Sequence, residues 1–255
     1  MKLQLWRNAT LLLNIDELNI LIDPMLGEKG SLGQFPMVGN ELLNPLIDLS
    51  FTEEELQEKL KTIDAVAVTH LHPDHWDPKA IELLDKNVPI ICPEIISEQI
   101  SEAGFKNVIA FNDTIQFKNI EISLTDGHHG TGEIEEQMGV VHGFVFKNAE
   151  QSVYIVGDSI WCEEVEQAIK KHQPEHIVVA GGAATFVVGD PIVMTSHDIV
   201  KVCESAPNSK IWVTHLESVS HAKEDRKFIK EKIKENGLEE RCFVLNDGEE
   251  AELGA

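Results

Sequence analysis

The sequence predicts an α/β fold, an αββα sandwich of two packed mixed β-sheets flanked by helices, in a single domain over residues 1–255. Three observations lead there. Strand-like segments open the chain and later alternate with helical ones, so both outer sheet faces need helical cover. No sharp shift in composition marks a linker. Two apolar segments, Ala67-Val68-Thr69-His70 and Ile211-Trp212-Val213-Thr214-His215, both end in Val-Thr-His. They put polar groups at strand C-termini, at a sheet edge where sites form.

The elements follow in order. Leu3 and Leu5 alternate with polar residues, and residues 9–15 and 19–22 flank Asp16-Glu17 like the arms of a hairpin. Asp23-Pro24 ends the second arm. Residues 25–50 have little periodicity and carry Gly27, Gly30, Gly33, Pro36, Gly39 and Pro45, the mark of a functional or mobile loop. Thr52 with Glu55 forms a capping box that opens a helix to Lys61. A strand at 63–69, a helix at 78–86, a strand at 88–92 and a helix at 97–103 follow. Strands at 108–111, 114–117 and 120–125 are joined by tight turns, and 140–146 with 152–156 reads as an antiparallel pair. Helix 161–172 has Val165, Ala168 and Ile169 on one face, and 176–180 is a buried strand. Thr195 with Asp198 opens a helix to Ser205, and a strand follows at 210–214. A helix at 223–236 is closed by Gly237, and 241–245 is the last strand.

Composition excludes several function classes. Hydrophobic residues make up 42% and charged residues 25%, as in ordinary globular proteins. The net charge of 21 − 44 = −23 argues against nucleic acid. The densest Lys/Arg stretch, 223–234, is interleaved with Glu224, Asp225 and Glu231 and reads as a solvated helix face. The first ten residues lack the apolar core of a signal peptide, and no apolar run approaches the roughly 20 residues that span a membrane. Cys92, Cys162, Cys203 and Cys242 are far apart and form no C-x-x-C pair, so buried inert thiols in a reducing cytoplasm are expected. No P-loop, G-x-G-x-x-G or G-x-S-x-G motif is present, which removes the support for nucleotide binding and for a serine hydrolase. The Gly181-Gly182 turn and Gly189-Asp190-Pro191 read as plain loop chemistry rather than an anion cradle.

The strongest signal is His70-Leu71-His72-Pro73-Asp74-His75, directly after an apolar strand. It holds three histidines and an aspartate within six residues. Pro73 stiffens the turn and disfavours a helix through it. Imidazole and carboxylate are the groups that zinc and related cations prefer, so this loop is expected to bind metal.

With these residues the sequence resembles the metallo-β-lactamase-fold hydrolases, whose signature is H-x-H-x-D-H after a strand. The likeness extends to Asn8–Leu12, Ile22–Leu26, Asn44-Pro45-Leu46-Ile47, Gly130-Thr131-Gly132, Met138-Gly139 and Gly157-Asp158-Ser159. It is strongest to the branch containing L-ascorbate-6-phosphate lactonase-like proteins. The resemblance implies that His70, His72 and His129 hold one divalent cation. Asp74, His75 and His215 would hold a second, with Asp158 shared between them. For the third histidine, His128 and His129 compete, and His129, which Gly follows, matches the branch pattern better. Zinc is the default metal, and manganese or iron also suits carboxylate-rich ligation.

The implied chemistry is a metal-dependent hydrolase in which a metal-bridged hydroxide attacks a small ester, lactone or phosphoester. Asp74 or a pocket histidine would pass a proton to the leaving group. His221 is the candidate for that pocket, against its plain reading as a polar residue at a helix start. Asp77 either orients a ligand histidine or caps the helix at Pro78, and Asp23 is ambiguous in the same way. His142, His172, His176 and His197 lack ligand-like partners and read as structural or surface residues. The 25–50 loop is expected to line the site, with Met25, Leu32, Phe35 and Met37 needing an apolar partner. Two rivals remain: a di-iron oxidoreductase on the same fold, and a non-catalytic metal-binding scaffold. The first typically has Glu at the position of His72 and an added flavin domain. The expected partner is a small-molecule substrate, without nucleic acid or membrane, and homo-oligomerisation is left open.

Overall fold

The computed structural model describes residues 1–254. Two seven-stranded sheets pack face to face. The first contains β1 (Lys2–Arg7), β2 (Thr10–Ile15), β3 (Leu18–Ile22), β4 (Ala65–Ala67), β5 (Ile90–Pro93), β6 (Val108–Phe111) and β14 (Glu250–Glu252). Its order is β14-β1-β2-β3-β4-β5-β6. The second contains β7 (Thr114–Phe117), β8 (Ile120–Gly127), β9 (Val141–Lys147), β10 (Ser152–Ile155), β11 (His176–Ala180), β12 (Lys210–Thr214) and β13 (Cys242–Val244). Its order is β13-β12-β11-β10-β9-β8-β7.

Each sheet is antiparallel on one side and parallel on the other. Strands β3 to β6 pair in parallel, as do β10 to β13. Side chains alternate across these strands with a period of two. Ile20, Ile22, Ala65 and Ala67 therefore face the core between the sheets, with Ile122, Phe144, Phe146 and Ile155 opposite. Leu21, Val66 and Ile90 face outward against Leu56, Ala80 and Ile100. These last three lie on α1 (Glu53–Leu60), α2 (Pro78–Leu83) and α3 (Ser97–Glu102). The other outer face packs Tyr154, Ile177, Val179 and Val213 on Val165, Ile199, Val202 and Ile229. Those come from α5 (Glu163–His172), α6 (Ser196–Ser205) and α7 (Arg226–Glu235). This is the αββα sandwich expected from the order of elements.

Both capping boxes form, at Thr52 with Glu55 and at Thr195 with Asp198. Several expectations need correction. Helix α7 starts at Arg226 rather than 223, because the Asp225 carboxylate caps Phe228 N. Helix α4 (Gly132–Met138) and strand β14 were not foreseen. Cys92, Cys203 and Cys242 are buried as expected, but Cys162 is only half-buried at the start of α5. Met25 is fully buried and belongs to the core, whereas most of the loop from Glu28 to Ser50 is exposed or half-buried. Among the described residues no helix is long and apolar enough to cross a membrane.

Candidate metal centre

The parallel halves of the two sheets bring their strand C-termini to a common edge. His70, His72, Asp74 and His75 lie in the turn after β4, and Asp23 follows its neighbour β3. His129 follows β8, Asp158 follows β10 and His215 follows β12. Gly157 has φ +74°, and a Cβ there would run into the His142 carbonyl oxygen, so only glycine lets the chain turn Asp158 inward. His215 and Asp23 also hold left-handed backbone, at φ 63° and 46°. Non-glycine residues adopt it at a cost, and such strain clusters at functional sites.

The side chains converge on two adjoining groups. Ligand atoms of His70, His72 and His129 lie within 4.8 Å of one another, and so do those of Asp74, His75, Asp158 and His215. Asp158 joins the groups: its Oδ2 is 3.0 Å from His75 Nε2, 3.4 Å from His215 Nε2 and 3.8 Å from His129 Nε2. All seven are buried except the partly buried His72.

A divalent cation fits this donor set, because the protein holds the far nitrogen of four histidines. His70 Nδ1 meets Thr69 Oγ1 at 2.9 Å, and that hydroxyl donates to Asp23 Oδ2 at 2.7 Å. His75 Nδ1 also meets Asp23 Oδ2, at 2.9 Å. His129 Nδ1 faces the Ile192 carbonyl at 2.7 Å, and His72 Nε2 faces the Met138 carbonyl at 3.0 Å. Each anchor fixes the ring, and at the neutral His70, His72 and His129 it leaves the opposite nitrogen with a lone pair. His70 Nε2 and Asp158 Oδ1 are buried with no hydrogen-bond partner among the described residues, a costly state that a cation would relieve.

Electrostatics agree. Burial pushes His70 well below its usual range, helped by repulsion from His75 and His72, and pushes His129 down to about 4. Both are neutral imidazoles, as a metal ligand must be. Burial opposes charge on Asp158, yet His215 and His75 outweigh it and hold the carboxyl well below the carboxylate range. His75 is the converse case: burial disfavours its charge, and Asp158, Asp74 and Asp23 overcome that.

The neighbouring residues resolve several alternatives. His129 is 2% exposed at the cluster, whereas His128 points outward between Glu135 and Glu164. Glu135 foremost raises the His128 pKa. Asp77 is the cap of α2, accepting from Ala80 N at 2.7 Å, and it also accepts from Gly27 N. It touches no ligand histidine. Asp23 does, and it serves both groups at once. The two backbone carbonyls, of Met138 and Ile192, were invisible to motif reasoning because any residue type supplies them.

His221 lies beside the cluster, 6% exposed, with Nδ1 unpartnered and Asp74 and His215 within electrostatic reach. The loops above are laced together. Ser220 N donates to Asn44 Oδ1, Asn44 Nδ2 to Ser220 Oγ, Leu46 N to Ser218 O, and Val187 N to Met37 O. The 25–50 loop thus sits over the site, as its length and glycines suggested. Arg7 is not aimed into it, since its guanidinium donates to the carbonyls of Ile47, Met25 and Gly27 and pins the loop's base.

Residues 18–216 match the model of the beta-lactamase superfamily domain. The chain belongs to that family. The UPF0173 protein YddR of Bacillus subtilis (strain 168) is 38% identical over 95% of this chain and 96% of its own. A crystal structure of a possible metal-dependent hydrolase from Veillonella parvula DSM 2008 superposes with a TM-score of 0.93 at 32% identity, covering 98% of each chain. One of an isothiocyanate hydrolase from Delia radicum gut bacteria gives 0.92 at 32%, covering 99% of each. This family membership accords with the two-sheet architecture and with the resemblance carried by the His70–His75 motif.

Proposed function

We propose that the protein is a binuclear metal-dependent hydrolase of a small uncharged molecule with an electrophilic carbon, isothiocyanates being the first candidates. The observation that carries this reading is Asp158, whose carboxylate touches both ligand groups. One carboxylate has two oxygens and can serve two cations at once. When bound, divalent cations supply Lewis acidity and acidify water near neutral pH. Zinc suits five histidines and two aspartates, and manganese or iron also fits.

The chain's own residues do the rest. His70, His72 and His129 would hold one ion, and Asp74, His75 and His215 the other, with Asp158 between. Asp74 Oδ2 lies 3.2 Å from His215 Nε2, its neighbour in the same group, and accepts from Asn8 Nδ2 at 3.3 Å, which fixes its direction. Burial pushes His221 down to about 4, so it meets the substrate as a neutral imidazole with one N–H to donate and one lone pair to accept. Among the described residues no Lys or Arg hydrogen-bonds or ion-pairs with any of these groups. No cationic side chain among the described residues stands ready for an anionic group beyond the ions, and with a net charge of −23 the surface repels anions, so the ester, lactone and isothiocyanate readings are favoured over the phosphoester. For an isothiocyanate, water adds across the C=N bond to give RNH–C(=S)OH, which moves its hydroxyl proton to sulfur and becomes RNH–C(=O)SH. The N–C bond then breaks, the thiol proton goes to nitrogen, and RNH2 and COS leave.

The test is Asp158→Ala beside the wild type. Metal-replete wild type is expected to bind about two ions per chain and to release amine from an isothiocyanate. The variant should lose at least one ion and at least about 10³-fold in kcat/KM, with its circular dichroism retained because Val153 and Ile155 still pack. Unchanged metal content and rate in the variant would overturn the proposal.

A further inference from the structure

We propose that Phe35 and Phe186, packed on His221, together with the neighbouring Val187 form an apolar slot that takes the uncharged side arm of the substrate. The inference rests on the hydrolase reading above for the position of the reacting carbon, and it adds which substrates the site prefers.

The slot is read from side chains on three loops. The His221 ring lies parallel to Phe186, with centroids 5.8 Å apart and 5° between planes. Phe35 meets the same ring edge-on at 5.6 Å. Thr185 N donates to the His221 carbonyl at 3.0 Å, so Phe186 is positioned by the residue it stacks on. Val187 N bonds Met37 O at 2.8 Å and closes the ring of loops. Phe186 also packs on the cluster containing Ile192, whose carbonyl anchors His129. The aromatic wall is therefore continuous with the ligand shell.

Its outer surface is apolar as well. Among the described residues eight large apolar side chains stand exposed, and six of them, Met37, Leu42, Leu43, Val140, Val187 and Val188, belong to loops at this end. Val187 is 64% and Val188 63% exposed, adjacent to two half-buried phenylalanines. Exposed apolar side chains gathered on loops beside a polar site mark a recognition surface. Two aromatic rings give a flat contact area with little conformational freedom to lose. His221 belongs to both surfaces. The rings it contacts are apolar, while its buried Nδ1 has no hydrogen-bond partner among the described residues and can take the polar head that the arm carries. The fitting ligand is a small molecule with one polar reactive head and one apolar, preferably aromatic, arm. An arm ending in a carboxylate or phosphate would be buried without a counter-charge and is rejected.

The experiment uses the metal-loaded full chain and two paired series. The first compares kcat/KM for benzyl and methyl isothiocyanate. The second measures binding of benzylthiourea and methylthiourea, unreactive analogues with the same arms, by calorimetry. Wild type is expected to favour the benzyl compound in both series by roughly tenfold or more. Phe186→Ala should remove most of that ratio, and Val187→Lys, at an exposed position that tolerates substitution, should reduce it and improve relative binding of a carboxymethyl analogue. Benzyl preference in binding without isothiocyanate turnover would support the slot while rejecting the proposed substrate. Equal binding of the two thioureas to wild type would overturn the slot, whatever the turnover. So would variants that keep the benzyl ratio and change only the sedimentation coefficient, which would assign these side chains to contact between copies of the chain.

Discussion

The floor and the rim of the site are built on opposite terms. The floor consists of seven ligand candidates at strand ends, nearly all buried, four of them held through a second hydrogen bond to Thr69, Asp23, Met138 or Ile192. The rim consists of the 25–50 loop and residues 185–190, tied mainly by Asn44, Ser220 and the Val187–Met37 bond, and it leaves Met37, Val187 and Val188 open to solvent. Chemistry needs ligands fixed from several directions, so the floor is over-determined. Selection of a substrate needs only a shape, so the rim can change without disturbing the metal centre.

That contrast predicts a graded response to substitution. After Asp158→Ala, the largest effect should come from Asp23→Asn, at a residue outside the two proposed ligand groups. Asp23 accepts from Thr69 N, Thr69 Oγ1 and His75 Nδ1, so it orients one histidine in each group. The expected loss is about 10–100-fold in metal affinity, read by chelator competition. An affinity equal to wild type would mean that the floor is held by packing alone.

A smaller effect is expected at the rim. Asn44→Ala removes three hydrogen bonds, to Gly33 O, Ser220 Oγ and Ser220 N. Metal content should stay at the wild-type level while KM rises about 5-fold, roughly 1 kcal/mol of lost positioning. Loss of metal in this variant would show that floor and rim are one cooperative unit.

The smallest effect on metal binding and turnover comes from the opposite end of the second sheet, and it sharpens the comparison by leaving the site alone. His176 opens β11, 1% exposed, and its Nδ1 accepts from Trp212 Nε1 at 3.3 Å. Burial, with Lys210 adding to it, pushes the ring down to about 4. Above pH 6.5 both folded and unfolded forms are neutral and no penalty exists. Between about pH 6.5 and 4 the unfolded chain gains a proton that the folded chain refuses, so stability falls by at most about 3 kcal/mol. Urea unfolding of metal-free wild type and His176→Asn across that window should show a flatter acid limb in the variant. Identical limbs would refute the assignment.

Legibility followed the same division. The His70–His75 cluster could be read because its donors lie within six residues, and Asp158 and His215 because each ends an apolar strand. Helix α4 escaped because it starts at Gly132 and carries only Ile134 and Met138 as large apolar residues, too few for a periodic signal. Strand β14 escaped because Glu-Ala-Glu has no strand pattern of its own and is held by pairing Lys2–Gln4 with Glu250–Glu252. Met25 looked like a loop residue in want of a partner and is core, since Arg7 ties its carbonyl inward.

By itself the sequence determined the layered α/β fold, the strand ends that carry ligands and the types of donor, because periodicity, caps and short-range spacing are local properties. Only the tertiary structure decided that His129 rather than His128 turns inward, that Asp158 touches both groups, and that Asp23 steadies two histidines while Asp77 merely caps a helix. Those outcomes depend on which strand ends share an edge, and on carbonyls and carboxylates brought within 3 Å from as far as Asp23 and His75, or His129 and Ile192. Such contacts follow from sheet order and register, which a linear pattern does not encode.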